Sequence, residues 1–249
     1  MICIKCGLNN PEVEVSCPGC GYRTGGGTKT HEPTQMLQQY QPSRVNTKTH
    51  EAKLFNSENY LNLAKTAYTS KNYDEAYSYY TKILEEDVEN YQAWLGKGES
   101  AGWLSKLNNC RLGELNTCIQ KAIDYAPQDK VEEIKKKSAN SAYQITLGYY
   151  KLANSHYYKF YQVDEAKSQF INQIIQCLNC LYYTEVFLDD TFESLILCKK
   201  GILELQIAIA KDGNGLFFLT FFGKNPFPKI IEQSNIRKKQ VELVLKGKK

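Results

Sequence analysis

No run of apolar residues in this 249-residue chain approaches the roughly eighteen needed to span a bilayer, so no transmembrane segment is expected. The first twenty residues are occupied by two cysteine pairs and their turns, which leaves no room for a secretory leader and points to a cytoplasmic location. Histidine is scarce: His31, His50 and His156 are all there is, and no nucleophile–base pair is suggested around His156. The run Gly25-Gly26-Gly27 lacks both the strand-to-helix setting and the Lys-Ser/Thr ending of a phosphate-binding loop. Together these absences argue against an enzyme.

The charge balance is also unremarkable until it is read by segment. The net charge is +4, yet the stretch from Lys224 to Lys249 carries eight Lys or Arg against Glu232 and Glu242. That surplus of six leaves the first 223 residues at about −2. A basic end can attract nucleic acid, acidic lipid or an acidic protein, or it can be a solvated helix face.

Cysteine, by contrast, is plentiful, with nine in the chain. Four of them fall in two Cys-x-x-Cys pairs, Cys3/Cys6 and Cys17/Cys20. Each pair can wrap one side of a metal ion in a tight turn, and the residues between them bring the second pair opposite the first. Gly7, Gly19 and Gly21 stand where the backbone must turn. Four thiolates at this spacing suit one tetrahedral Zn²⁺, and Cys3-Ile4-Lys5-Cys6-Gly7 with Cys17-Pro18-Gly19-Cys20-Gly21 resembles the two knuckles of a zinc ribbon. The competing reading is a pair of disulfides. A site closed by four sulfurs has no open position for water or substrate, so the expected zinc is structural. Between Met1 and Arg23 the charges cancel, so the ribbon lacks the cationic footprint that phosphate contact requires.

Residues 24–54 read as a flexible linker, rich in Gly, Thr, Gln, Lys and Pro without sustained apolar periodicity. His31 and His50 lie there and are read as solvated. Beyond it, residues 55–249 show helical periodicity. Tyr60-Leu61-Asn62-Leu63-Ala64 opens one helix, and Asn72-Tyr73-Asp74-Glu75-Ala76 a second, with Asn72 as N-cap and Glu75 reaching back as in a capping box. Tyr80, Ile83 and Leu84 continue the buried face begun by Ala76. The bulky-then-small pattern of Tyr60 and Ala64 returns at Trp94 and Gly98, and the second helix of that unit holds Cys118 to Ile123 and closes at Ala126-Pro127. This resembles tetratricopeptide repeats, helix-turn-helix units of about 34 residues. The likeness is good over 57–127, moderate to about 187 and weak beyond. Val88 stands where a helix-closing proline is usual, Leu115 where a small residue is usual, and about five extra residues surround Ser105 to Arg111. A long helix of roughly 129–158 precedes Val163-Asp164-Glu165-Ala166, which echoes Tyr73 to Ala76. Later helices are expected at 190–210, ended by Asp212-Gly213-Asn214-Gly215, and at 228–245, as terminal caps.

The expected fold is thus mainly α, a tetratricopeptide-like array joined to a small N-terminal zinc ribbon of short hairpin and knuckles. The resemblance implies a concave face lined by each unit's first helix. Counting around those helices places Leu61, Lys65, Tyr68 and Thr69 inward in the first unit and Leu95, Glu99 and Trp103 in the second. Leucine at positions 61 and 95 replaces the Lys and Asn with which some members grip C-terminal carboxylates, so a partner helix or extended segment is the better fit. Alternatively, these side chains pack against other helices of the chain. Cys177-x-x-Cys180 lies within a helical apolar stripe and reads as core, as do Cys110, Cys118 and Cys198. The segment Leu216 to Phe222 is either a loop inserted into the core or a hook for a partner or membrane surface. The function expected from all this is a protein-interaction scaffold, with a nucleic-acid-associated regulator as the rival.

Overall fold

The first helix, α1, spans Thr47–Thr69 and begins ahead of the boundary expected at residue 55. Glu51, Ala52, Lys53 and Leu54 are good helix formers, and they lie within it. In this computed structural model the described residues are 47–189, 191–217 and 225–247. Cys3, Cys6, Cys17 and Cys20, most of the expected linker and Phe218 to Phe222 lie outside them, and all the described residues belong to one unit, Asn46–Lys249.

Seven further helices follow: α2 Tyr73–Glu86, α3 Tyr91–Trp103, α4 Leu112–Asp124, α5 Val131–Phe160, α6 Asp164–Val186, α7 Glu193–Phe217 and α8 Phe227–Gly247. The architecture is a mainly helical array. Consecutive helices pair as α1/α2, α3/α4, α5/α6 and α7/α8, and the first members of the pairs touch in order, α1 to α3, α3 to α5 and α5 to α7. The last two helices therefore form a fourth hairpin that continues the stacking.

The turn between α1 and α2 is a Schellman closure. Lys71 takes the left-handed conformation (φ 61°), its N–H donates to Tyr68 O at 3.0 Å, and Asn72 N–H donates to Ala67 O at 2.9 Å. Asn72 precedes α2 as expected but does not cap it through its side chain. Instead its Nδ2 donates to Glu75 Oε2 at 2.6 Å, so the two side chains satisfy each other rather than the helix terminus. A side-chain cap is found at α3, where Asn90 Oδ1 accepts from Ala93 N–H at 3.0 Å. The proline missing at position 88 is offset differently: Trp94 Nε1–H donates to Val88 O at 2.7 Å and holds the α2–α3 turn closed.

α2 buries Ala76, Tyr80, Ile83 and Leu84, the face its sequence spacing predicts. α3 is surrounded, touching α1, α2, α4 and α5. Its small residues make this possible. A Cβ on Gly96 would lie 2.1 Å from the Tyr80 ring, one on Gly98 2.6 Å from Cys118 Cβ, and one on Gly102 2.8 Å from Ile145 Cγ2. The bulk of Leu115, which departs from the repeat pattern, is absorbed here: Leu115 is fully buried and its Cδ2 lies 3.2 Å from where a Gly102 Cβ would be. The extra residues before α4 form a tight turn in which Lys106 and Asn109 exchange backbone hydrogen bonds of 2.9 and 3.0 Å. Gln173 Nε2 of α6 donates to Leu107 O at 3.3 Å and ties that turn to the array.

The main core runs from α3 to the start of α8, with Phe170, Ile174, Cys177 and Leu181 of α6 buried along one stripe. Each such side chain contributes about 1.5–3 kcal/mol by leaving water. Cys177 and Cys180 sit within this stripe as free thiols, and burial pushes the Cys180 thiol up to about 12. No cluster of metal-ligating side chains occurs among the described residues. α7 does not end at Asp212-Gly213-Asn214-Gly215 but continues through it to Phe217. Packing explains the difference: a Cβ on Gly213 would fall 2.7 Å from the ring of Phe227, which is completely buried. The glycine here admits the first residue of α8 rather than ending α7. None of the helices, over the described residues, is long and apolar enough to cross a membrane.

Candidate interaction groove

α1 and α5 each contact α3 but do not pack on one another, which leaves a cleft with α3 at its floor. Its volume is about 650 Å³. Lys65, Tyr68 and Thr69 of α1 line it, together with Leu95 and Glu99 of α3. Five of the seven side chains placed inward by counting thus meet in one concavity. The other two do not line it. Leu61 packs on the α1–α2–α3 core beside Ala64 and Ala76. Trp103 turns away, stacks on Tyr73 with ring centroids 5.8 Å apart, and presses against α5 at Gly148. It still supports the groove, because its Nε1–H donates to the Tyr68 hydroxyl at 3.3 Å.

The remaining lining side chains come from elements other than α1 and the middle of α3. Tyr80 enters from α2 across Gly96, and Tyr91 and Gln92 flank the start of α3. The third wall is α5, with Lys130, Glu133, Ile134, Lys137 and Ser141 at and just ahead of its first turns. Ile134, Lys137 and Ser141 follow i, i+3, i+7 spacing, so one helical face supplies them. That spacing was available in the sequence, but the long α5 did not align with the two earlier units.

The floor is polar where a simple apolar groove would not be. Glu99 is only 4% exposed, and its Oε1 accepts a 2.6 Å hydrogen bond from Ser141 Oγ–H. Burial raises its carboxyl above the ordinary glutamate range, against the lowering effects of the Ser141 hydrogen bond and the Lys137 charge. Burial also lifts the Tyr68 and Tyr80 hydroxyls, Tyr80 to about 12, and the nearby Glu99 charge adds to both. At the rim, Lys65, Lys137 and Gln92 are exposed, and Lys130 Nζ pairs with Glu133 Oε2 at 3.3 Å.

A raised carboxyl carries a stability consequence of definite sign. The protonated form is favoured by folding, so the contribution is fully present below the unfolded-state value and is lost as pH rises through the folded-state value. At neutral pH the ionised, desolvated carboxylate is a net cost. Glu99→Gln keeps an oxygen for Ser141 and removes the charge. It is expected to raise Tm at pH 7.5 by roughly 2–4 °C, the shift about 1 kcal/mol produces at this size, and the gain should shrink toward pH 4. Thermal unfolding of both proteins at the two pH values checks this; a lower Tm for the variant at pH 7.5 would show that the charge stabilises the fold.

Comparison with known proteins adds no relative: no family model, no curated protein and no solved structure matches this chain.

Proposed function

We propose that this chain is a non-catalytic, cytoplasmic protein–protein interaction scaffold whose helical array, similar in plan to tetratricopeptide repeats, binds a partner peptide or helix in the α1–α3–α5 groove. The observation that carries this reading is the open cleft itself, where Lys65, Tyr68, Leu95 and Glu99 converge with the α5 face on about 650 Å³ of space. Its mixture of tyrosine rings, aliphatic floor and scattered charge suits an extended segment or amphipathic helix. Cys3, Cys6, Cys17 and Cys20 are proposed to hold one structural Zn²⁺ in a ribbon that adds a second contact. Two weak contacts on one chain raise avidity through effective concentration.

The rival, a nucleic-acid-associated regulator using the basic C-terminal segment, draws less support. In α8, Arg237 is paired with Glu185 at 3.0 Å and Lys238 with Glu204 at 3.0 Å, so part of that charge is spent within the array.

Affinity capture from a cell lysate with the full chain, beside a variant carrying Gln92→Trp to fill the groove, tests the scaffold. Proteins retained by the native chain should be depleted about tenfold by the variant, the loss expected when added bulk at the rim obstructs entry to the groove. Identical retention would overturn the groove reading, and retention on duplex or single-stranded nucleic acid at physiological salt would favour the rival. For the metal, about one zinc per chain is expected, retained in Cys177→Ser and lost from Cys3→Ser. Loss in the first variant instead would assign the ion to the helix cysteines.

A further inference from the structure

We propose that the groove takes a partner segment through a lysine or arginine side chain, which passes the rings of Tyr68 and Tyr80 to pair with the Glu99 carboxylate at the floor. This rests on the reading of the groove as a partner-binding site and names the chemistry of what enters it.

Glu99 lines the cavity yet is 4% exposed, a degree of burial that carboxylates reach only when paired. Its Oε1 is engaged by Ser141, but among the described residues no hydrogen bond reaches Oε2 and no cation lies within ion-pair distance of either oxygen. The Lys137 charge acts on it but does not offset its desolvation. A cation brought by a ligand into the cleft would supply the ion-pair partner that the chain itself does not.

The walls suit the same group. Tyr68, Tyr80 and Tyr91 present aromatic surface around the approach, and the faces of such rings attract ammonium and guanidinium ions. The rim sets a second condition. Lys65 and Lys137 are exposed on opposite walls, while Lys130 is already tied to Glu133. A uniformly basic ligand would be repelled there. A single basic anchor with acidic neighbours would satisfy both floor and rim, and that pattern defines the ligand class: an extended peptide segment carrying one Arg or Lys flanked by Asp or Glu.

The test uses the full chain and four immobilised peptide pools with Arg, Lys, Glu or Leu fixed at the centre and random flanks. The Arg or Lys pool should retain the native protein about tenfold better than the Leu or Glu pool, the ratio one charge-assisted pair supplies. Glu99→Gln, close in shape and with an acceptor left for Ser141, should fall to the level of the Leu pool. Lys65→Glu, an exposed change, should keep the basic preference and lose enrichment of acidic flanks. A preference for the Glu pool, or an undiminished Arg/Lys preference in Glu99→Gln, overturns the proposal. Equal binding of all pools that Gln92→Trp abolishes also overturns it while leaving the groove reading intact. Retention by no pool would count against both.

Discussion

Replacing Gly96 or Gly98 with alanine destabilises the array by about 1–3 kcal/mol each, while the same change at Gly201 stabilises it by roughly 0.5–1 kcal/mol. All three glycines lie within helices, and helix propensity alone predicts a gain for each. Packing decides the sign. At Gly201 a Cβ would meet nothing within 4 Å. At Gly96 it would enter the Tyr80 ring at 2.1 Å, and at Gly98 it would sit 2.6 Å from Cys118 Cβ and 3.1 Å from the Leu115 carbonyl oxygen. Real Cβ atoms do not approach so closely, so either α3 or its neighbours must move. At Gly96 the neighbour is a side chain that lines the groove, and the variant should lose partner binding along with stability. At Gly98 the obstacle is another helix, and Cys118→Gly should recover part of the loss in the double variant. Urea unfolding of the native chain, the three alanine variants, Cys118→Gly and the double variant measures every term; a stabilising Gly98→Ala would show that α3 and α4 are less tightly apposed than the structure has them.

These glycines also show what sequence reasoning could and could not reach. The periodic faces were legible because they are local: Ala76, Tyr80, Ile83 and Leu84 recur at helical spacing within one element, and all four are buried. Leu115 counted as a departure because the residues that accommodate it, Gly98 and Gly102, lie on a different helix. The glycines near the end of α7 misled for the same reason. Their local preference is to stop a helix, and the ring of Phe227 that gives Gly213 its purpose comes from α8. In the groove, two walls followed from counting around α1 and α3. The third needed the knowledge that α5 stacks beside α3, which its own sequence does not state. Trp103 fell on the expected side of its helix, but side-chain direction is set by what it can stack on, and Tyr73 offers more surface than the open cleft.

The second large effect is expected where α8 meets α6 and α7. Arg237→Leu should cost about 2–3 kcal/mol at pH 8, short of the 3–5 kcal/mol typical of a fully buried pair because the arginine is partly exposed. Glu185 is nearly enclosed, with side-chain exposure of 7% against 30% for Arg237, and the two lie 3.0 Å apart. The pairing is electrostatic more than directional: Arg237 Nε and Glu185 Oε2 are both enclosed without an aligned hydrogen bond. Burial raises the Glu185 carboxyl, and the charges of Arg237 and Lys199, with the neighbouring Gln206 side chain, pull it back. Removing the guanidinium strips away the first of those opposing effects, so the carboxyl rises further and ionising it in the folded state becomes harder. A group raised in the folded state loses its stabilising contribution as pH rises. The penalty of Arg237→Leu should therefore be largest at pH 8 and shrink toward pH 4, where a neutral Glu185 needs no countercharge. Adding Glu185→Leu should restore most of the lost stability at pH 8, because a well-packed apolar pair replaces two desolvated ions. A penalty that does not change with pH, or a double variant no better than the single one, would mean that Arg237 holds α8 through its guanidinium over the Tyr182 ring rather than through Glu185.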